Sequence, residues 1–342
     1  VPTFCRHGRF LERCPICSKT LPGATPAGRS SGAGAKRRSS SSPAGARAGG
    51  AARARRGGQH AGSLHVRRQQ RAVEDGYSSS LLPGLRASAD AARLADELAF
   101  SQGRLEALAG AEGAATPPDL YRQVRSLAAG GELEHASWTC FVIAYLCPLE
   151  APEPFVGIER ALALGPGELP DLSEVPLGPR SSYDPARGTA TVQAYRAWYR
   201  QAGSQAAAFA GDPDWSPVRR FERLFERLAL PGLKRAARYE LLVLLGTLGL
   251  FELEADSLHL SAARAGGQED ATMLAAKRIF AIGDPLLLER RARALAEAVA
   301  LPVAALELAL ANWQTEERAT LGFPPEAADD ETLQVAREAV GL

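Results

Sequence analysis

A chain of 342 residues can hold one large or two ordinary domains, and with 46% apolar residues most of it can bury a core. It has no apolar run of about 18 residues or more and no secretory leader pattern, which sets aside membrane-spanning and secreted classes; a soluble, cytoplasmic monomer is expected. The net charge of +1 hides a split. Through Val73, two lysines and thirteen arginines face Glu12 alone, a charge of +14 that leaves −13 on the remainder. A basic arm on an acidic body points to a polyanionic partner.

Residues 5–17 read CRHGRFLERCPIC and place Cys5, His7, Cys14 and Cys17 within thirteen positions. Four such donors fill a zinc tetrahedron, and the Cys-Pro-x-Cys turn presents two thiolates to one ion. With every position taken by protein the Zn²⁺ would be structural, because no place is left for a reactive water. Unrelated thiols and a redox Cys-x-x-Cys pair are the alternatives, the latter without a βαβ pattern around Cys14 and Cys17. Residues 1–20 are therefore read as a zinc-binding knuckle. From 21 to 63 the composition falls to Gly, Ala, Ser, Pro and Arg, too poor in apolar surface to offset the entropy of ordering. This segment reads as a disordered basic linker. Its clusters Lys36-Arg37-Arg38 and Arg53-x-Arg55-Arg56 would add salt-sensitive phosphate affinity or act only as a solvated spacer.

Order resumes near Leu64, and residues 64–342 read as one helical domain. Asp90–Leu108 carries a helical stripe of Ala91, Leu94, Ala95, Leu98 and Ala99. Asp119 is placed as the cap of a helix through Leu127. Leu133–Leu149 is apolar on most faces and should be central, with Cys140 and Cys147 as core thiols. Gly165–Arg187 is a long connection, followed by helices at Thr191–Gly203 and Pro217–Leu228. On the second of these, Arg219, Arg220, Arg223 and Arg227 alternate with Glu222 and Glu226, as a salt-bridged face or a phosphate-facing edge. Leu230-Pro231-Gly232 then opens a helix whose Ala237, Leu241, Leu244, Leu245 and Leu248 share one face, with Gly246 and Gly249 at its exit. A Gly-rich loop at 265–268 and helices at Asp270–Ile282, Pro285–Ala300 and Pro302–Trp313 close the reading. Nothing in residues 75–342 alternates with period two, so the class is all-α.

The stretch Leu230–Leu260 resembles the helix-hairpin-helix DNA glycosylases. There Leu-Pro-Gly-h-Gly leads into a helix and a catalytic Asp follows about two dozen residues on. Asp256-Ser257-Leu258-His259 stands at that distance and is similar to the family's Asp-Thr-His. Phe141–Glu150 (FVIAYLCPLE) corresponds to a second helical segment of that superfold. Within it, the chain is similar over about residues 75–322, and in its Cys/His-bearing N-terminus, to the α-glutamyl/putrescinyl thymine pyrophosphorylase-like family of clade 3. The resemblance implies a glycosylase-like helical bundle carrying the N-terminal zinc knuckle. It implies a catalytic Asp256, a pocket near Tyr145, Glu150 and His259, and DNA contacts at Gly232, Lys234, Arg235, Lys277 and Arg278, with Gly283 after them. Two positions depart from it: Lys234 replaces the hairpin's second Gly, and Ala236 stands where bifunctional glycosylases carry a lysine, which argues against lyase chemistry.

Three functions follow. The first is a glycosylase acting on a modified base, with Asp256 steadying an oxocarbenium-like sugar and the base flipped out of the stack. Modified or phage DNA is the expected partner, and phage defence the setting. The second is hypermodification of the pyrophosphorylase type, in which an amine displaces pyrophosphate from a pyrophosphorylated hydroxymethyl-thymine. The third is a non-catalytic DNA-binding module. Asp256 as a helix cap or surface carboxylate, and Tyr145 and His259 as packing residues, are the plainer alternatives.

Overall fold

The computed structural model describes residues 72–150, 152–165, 168–265 and 268–342. The expected zinc ligands Cys5, His7, Cys14 and Cys17 and the linker 21–63 lie outside them. Twelve helices make up nearly all regular structure of the described residues: α1 (Ser88–Ala109), α2 (Asp119–Ala129), α3 (Leu133–Leu146), α4 (Val156–Leu162), α5 (Gly188–Gln201), α6 (Gln205–Ala210), α7 (Pro217–Arg227), α8 (Arg235–Thr247), α9 (Ala271–Phe280), α10 (Pro285–Ala298), α11 (Val303–Gln314) and α12 (Asp330–Val340). Between α8 and α9 a minimal ladder pairs β1 (Arg264–Ala265) antiparallel with β2 (Gln268–Glu269). The all-α expectation holds. No helix of the described residues is long and apolar enough by itself to cross a membrane.

Helix ends follow side-chain chemistry. Ser216 accepts from the Arg219 amide at 3.3 Å ahead of Pro217, and Asp284 accepts from the amides of Leu286 and Leu287 at 3.0 and 3.1 Å ahead of Pro285. Asp270 and Asp329 cap α9 and α12 in the same way. Asp119 does not cap α2. It is the first helical residue, with Pro118 before it, and its carboxylate pairs with Arg122 one turn on.

Hydrophobic pattern decides depth. Every residue of α3 from Ala136 to Leu146 is buried, and α11 is buried from Ala305 to Trp313. α3 packs on α8 and α2; α1 packs on α11 and α12; α11 packs on α9. The stripe Ala237, Leu241, Leu244, Leu245 and Leu248 of α8 faces this core. Cys140 and Cys147 are free, buried thiols, and burial pushes Cys147 up to about 11.

Charged groups also lie inside. Arg104 of α1 and Glu240 of α8 form an ion pair whose side chains are 2% and 7% exposed. A larger cluster joins Arg180, Arg235, Asp270, Thr272 and Glu307. Each charge removed from water is costly unless paired, so such clusters hold only where the geometry satisfies them.

Candidate functional site

The chain leaves α7 through Leu228, turns over Leu230–Leu233 and enters α8 at Arg235. The Leu233 amide donates to the Leu230 carbonyl at 3.1 Å, and Gly232 takes φ +79°. That left-handed conformation suits glycine, and a Cβ built there would collide with Thr191 Oγ1. Lys234 is the residue before the helix. Its amide donates to Ser182 Oγ at 3.2 Å and its Nζ to the Ser181 carbonyl at 2.7 Å, which ties the turn to the loop before α5.

Arg235 corrects the sequence expectation. It points inward, 3% exposed, and every guanidinium nitrogen is engaged. Nε donates to Asp270, Nη1 to the Leu258 carbonyl at 2.9 Å, and Nη2 to Thr272 Oγ1 at 2.8 Å and Glu307 Oε1 at 2.5 Å. A guanidinium so held is turned to the protein's interior rather than to a surface. Glu307 is the hub of this cluster. It also accepts from Arg180 Nη2 at 2.6 Å through both oxygens. Burial alone would raise the Glu307 carboxyl, but Arg180 and Arg235 outweigh it and hold it at about 2.

This cluster floors a cavity of about 250 Å³ lined by Arg180, Ser181, Lys234, Ala236, Thr272 and Asn312, among others. Arg180 Nη1 is buried without a hydrogen-bond partner. None of Arg180, Thr272, Asn312 and Glu307 was singled out from sequence. Glu307 left a signal, a lone carboxylate in the apolar run Val303–Trp313.

Asp256 lies two residues before Leu258, whose carbonyl Arg235 holds. It forms the ridge between two cavities of about 540 and 360 Å³, and Phe221 and Arg293 also line both. The first is walled by Leu105, Val243, Leu253 and Val303 and rimmed by Glu106, Glu254 and Glu297; the second by Glu222, Glu226, His259 and Glu289. Arg293 Nη2 donates at 2.9 Å to both the carbonyl and Oδ2 of Asp256. With side chains 55% and 45% exposed, the pair stands at the cavity mouths rather than in an enclosed apolar pocket. The segment after it is fixed by Glu289, whose carboxylate accepts from the Leu258 and Leu260 amides at 2.8 and 2.6 Å.

His259 adopts φ +53° and stacks on Phe225 at 4.0 Å between centroids. Burial, with Arg235 and Arg238 nearby, depresses its imidazole to about 4, so it is neutral near pH 7. Tyr145 is 1% exposed, stacked on Phe141 at 5.5 Å, and lines none of these three cavities. Glu150 is exposed beyond the end of α3. The expected pocket of Tyr145, Glu150 and His259 is therefore not assembled; only His259 joins Asp256. Lys277 and Arg278, expected at DNA, are partly exposed and engaged within the protein. Lys277 Nζ pairs with Glu269 at 2.5 Å; Arg278 pairs with Asp90 at 3.5 Å and lies over the Trp313 ring at 4.8 Å, bracing α9 against α1 and α11. Among the described residues, no three His, Cys, Asp or Glu side chains converge as a metal site.

No curated protein and no solved structure matches the chain. Residues 180–323, from Arg180 through Asp256 and Glu307 to Phe323, match the family described as alpha-glutamyl/putrescinyl thymine pyrophosphorylase clade 3.

Proposed function

We propose that the protein is a DNA-base hypermodification enzyme of the pyrophosphorylase type, in which an amine displaces pyrophosphate from a pyrophosphorylated hydroxymethyl-thymine. The family match over residues 180–323 carries this reading. In the reaction the exocyclic C–O bond breaks, pyrophosphate leaves with the electron pair, a C–N bond forms, and the amine loses a proton. Asp256, at the junction of two cavities, is the group assigned to accept that proton, with Arg293 fixing its carboxylate. The acidic rim of the larger cavity favours a cationic amine close to Asp256, which becomes the nucleophile once Asp256 takes its proton. The reading as a glycosylase has less support. That chemistry wants a carboxylate held against the sugar in a water-poor site, and Asp256 is half-exposed and ion-paired.

In this scheme the DNA is modified or phage DNA and the chain acts as a monomer. A zinc knuckle at Cys5, His7, Cys14 and Cys17 and the basic linker would add backbone affinity. The test is incubation of the full chain with an oligonucleotide carrying the pyrophosphorylated base, together with candidate amines. Released pyrophosphate and a base adduct of amine mass are expected. Abasic sites with free base would restore the glycosylase reading, and binding without any product would leave a non-catalytic module.

A further inference from the structure

His259 shares a cavity with Asp256, and the segment that carries it is fixed on both sides. Glu289 accepts from the Leu258 and Leu260 amides at 2.8 and 2.6 Å, and Arg235 Nη1 donates to the Leu258 carbonyl at 2.9 Å. The His259 amide donates to Ser257 Oγ at 3.1 Å. These bonds hold His259 at φ +53°, a conformation that a residue with a side chain adopts rarely and keeps only where its surroundings over-determine it. Phe225 covers one face of the imidazole, 4.0 Å between centroids and 11° from parallel, so the ring plane is set as well.

The edge of that ring is left open. Among the described residues no group bonds either imidazole nitrogen, and neither nitrogen is sealed from the surface. The imidazole is neutral near pH 7, so one nitrogen donates and the other accepts. The cavity it lines, of about 360 Å³, has apolar walls in Val218, Phe221, Pro285 and Leu286. The carboxylates around it are engaged, Glu289 by the two amides, Glu226 by Arg223 and Asp256 by Arg293, with Glu222 exposed. Ligand pockets start at about 300 Å³, and apolar walls with one convergent polar edge at that size suit a single flat heterocycle. Phe221, Asp256 and Arg293 are common to this cavity and to the larger, acid-rimmed one.

We propose that the His259 cavity seats the pyrimidine ring of the substrate base, with an imidazole nitrogen of His259 accepting from the ring N3–H. The assignment deepens the proposed function and rests on it. The ring lies on one side of Asp256 and the amine, in the acid-rimmed cavity, on the other. The exocyclic carbon then stands at the wall the two cavities share, where its C–O bond breaks, the C–N bond forms, and Asp256 takes the amine proton.

The test is calorimetric titration of the full chain with a trinucleotide that carries 5-hydroxymethyluracil at its centre. A single strand removes the cost of unstacking the base, and raised salt suppresses backbone contacts. A second trinucleotide differs only by a methyl group on N3. Both are titrated into wild type, His259→Asn and His259→Phe, with a thermal melt of each protein. Asn tolerates a positive φ and keeps an acceptor, while Phe keeps the stack on Phe225 and has none. Wild type and His259→Asn should bind the N3–H base about threefold to tenfold tighter than the N3-methyl base, the loss expected for one hydrogen bond. His259→Phe should bind the two alike. Equal affinity of wild type for the two trinucleotides overturns the assignment, whatever the variants do. Discrimination that persists in a folded His259→Phe also overturns it, because another group then faces N3. Base transfer measured in parallel separates this proposal from the one before: transfer by the wild type without N3 discrimination sinks only the pocket. Discrimination that depends on His259, with no transfer by the wild type, sinks only the function.

Discussion

Replacing Glu307 by Gln should cost the protein about 3 kcal/mol at pH 7. The carboxylate is 1% exposed and compensates two guanidinium groups, Arg180 at 2.6 Å and Arg235 at 2.5 Å, while accepting from Thr272 Oγ1 at 3.0 Å. Glutamine keeps the shape and the Thr272 contact but leaves both cations without their shared counter-charge. Removing one partner of a buried pair costs about 3–5 kcal/mol. Linkage gives a similar figure: a carboxyl held at about 2 instead of 4.5, at about 1.4 kcal/mol per pH unit, contributes about 3 kcal/mol. The sign is set by the depressed folded value. As pH falls, the unfolded chain takes up the proton first, so the contribution is complete above 4.5 and disappears between 4.5 and about 2. Urea unfolding of both proteins at pH 7, repeated down to pH 3, reads this directly. Wild type should lose stability through that window and Glu307→Gln should lose less of it. A difference under about 1 kcal/mol at pH 7, or parallel acid profiles, would refute the account of Glu307 as the hub.

Gly232→Ala should destabilise by about 1–2 kcal/mol, from the left-handed φ and the clash with Thr191; adding Thr191→Ala should relieve the clash but not the backbone share, as denaturant midpoints of the two proteins would reveal. His259, depressed from 6.5 to about 4, binds its proton first in the unfolded chain, so its contribution is present above pH 6.5 and is lost as pH falls toward 4. His259→Asn should flatten that part of the pH–stability curve, and an unchanged slope would show that another group titrates there. Asp256→Asn should lower base transfer about a hundredfold or more while shifting stability by no more than about 1 kcal/mol, because its pair with Arg293 is solvent-exposed. Full activity in single-turnover assays would remove Asp256 from the chemistry. The full chain should carry one zinc per molecule and lose it on Cys14→Ser, as metal analysis would check.

Long periodic helices were legible because a repeated apolar face leaves few other folds. α1 and α8 lie where their stripes place them, and α3 is central because no face of it is polar. Shorter or more polar pieces were not. α4 and α6 have seven and six residues, too few for a period, and α12 is amphipathic but follows the turn-rich stretch 315–329. The loop before α5 could not be placed, because long-range bonds decide its course. The Gly178 amide donates to the Cys147 carbonyl at 2.8 Å and that of Ser182 to the Tyr145 carbonyl at 2.9 Å, and this seam on α3 carries Arg180 to the cavity. Arg235 was misread for a related reason. Its distance from Gly232 can be counted, but whether a residue in the first turn faces inward depends on what packs there, and Glu307 lies 72 positions later.

The placement of Arg235 makes the buried cluster and the Asp256 segment one mechanical unit. Its Nη1 holds the Leu258 carbonyl, two residues after Asp256, and its Nη2 holds Glu307, which in turn holds Arg180 in the wall of the cavity of about 250 Å³. Both contacts run through one buried, fully bonded guanidinium, so a change at Glu307 is carried to the segment that follows Asp256. The consequence is testable with the Glu307→Gln protein. If Arg235 couples the two places, that variant should slow base transfer through the Asp256 segment as well as lose stability, whereas Lys234→Met, at an exposed position, should do neither. Base transfer by Glu307→Gln equal to wild type would mean that the cluster serves stability alone and that Asp256 is positioned by Glu289 and Arg293.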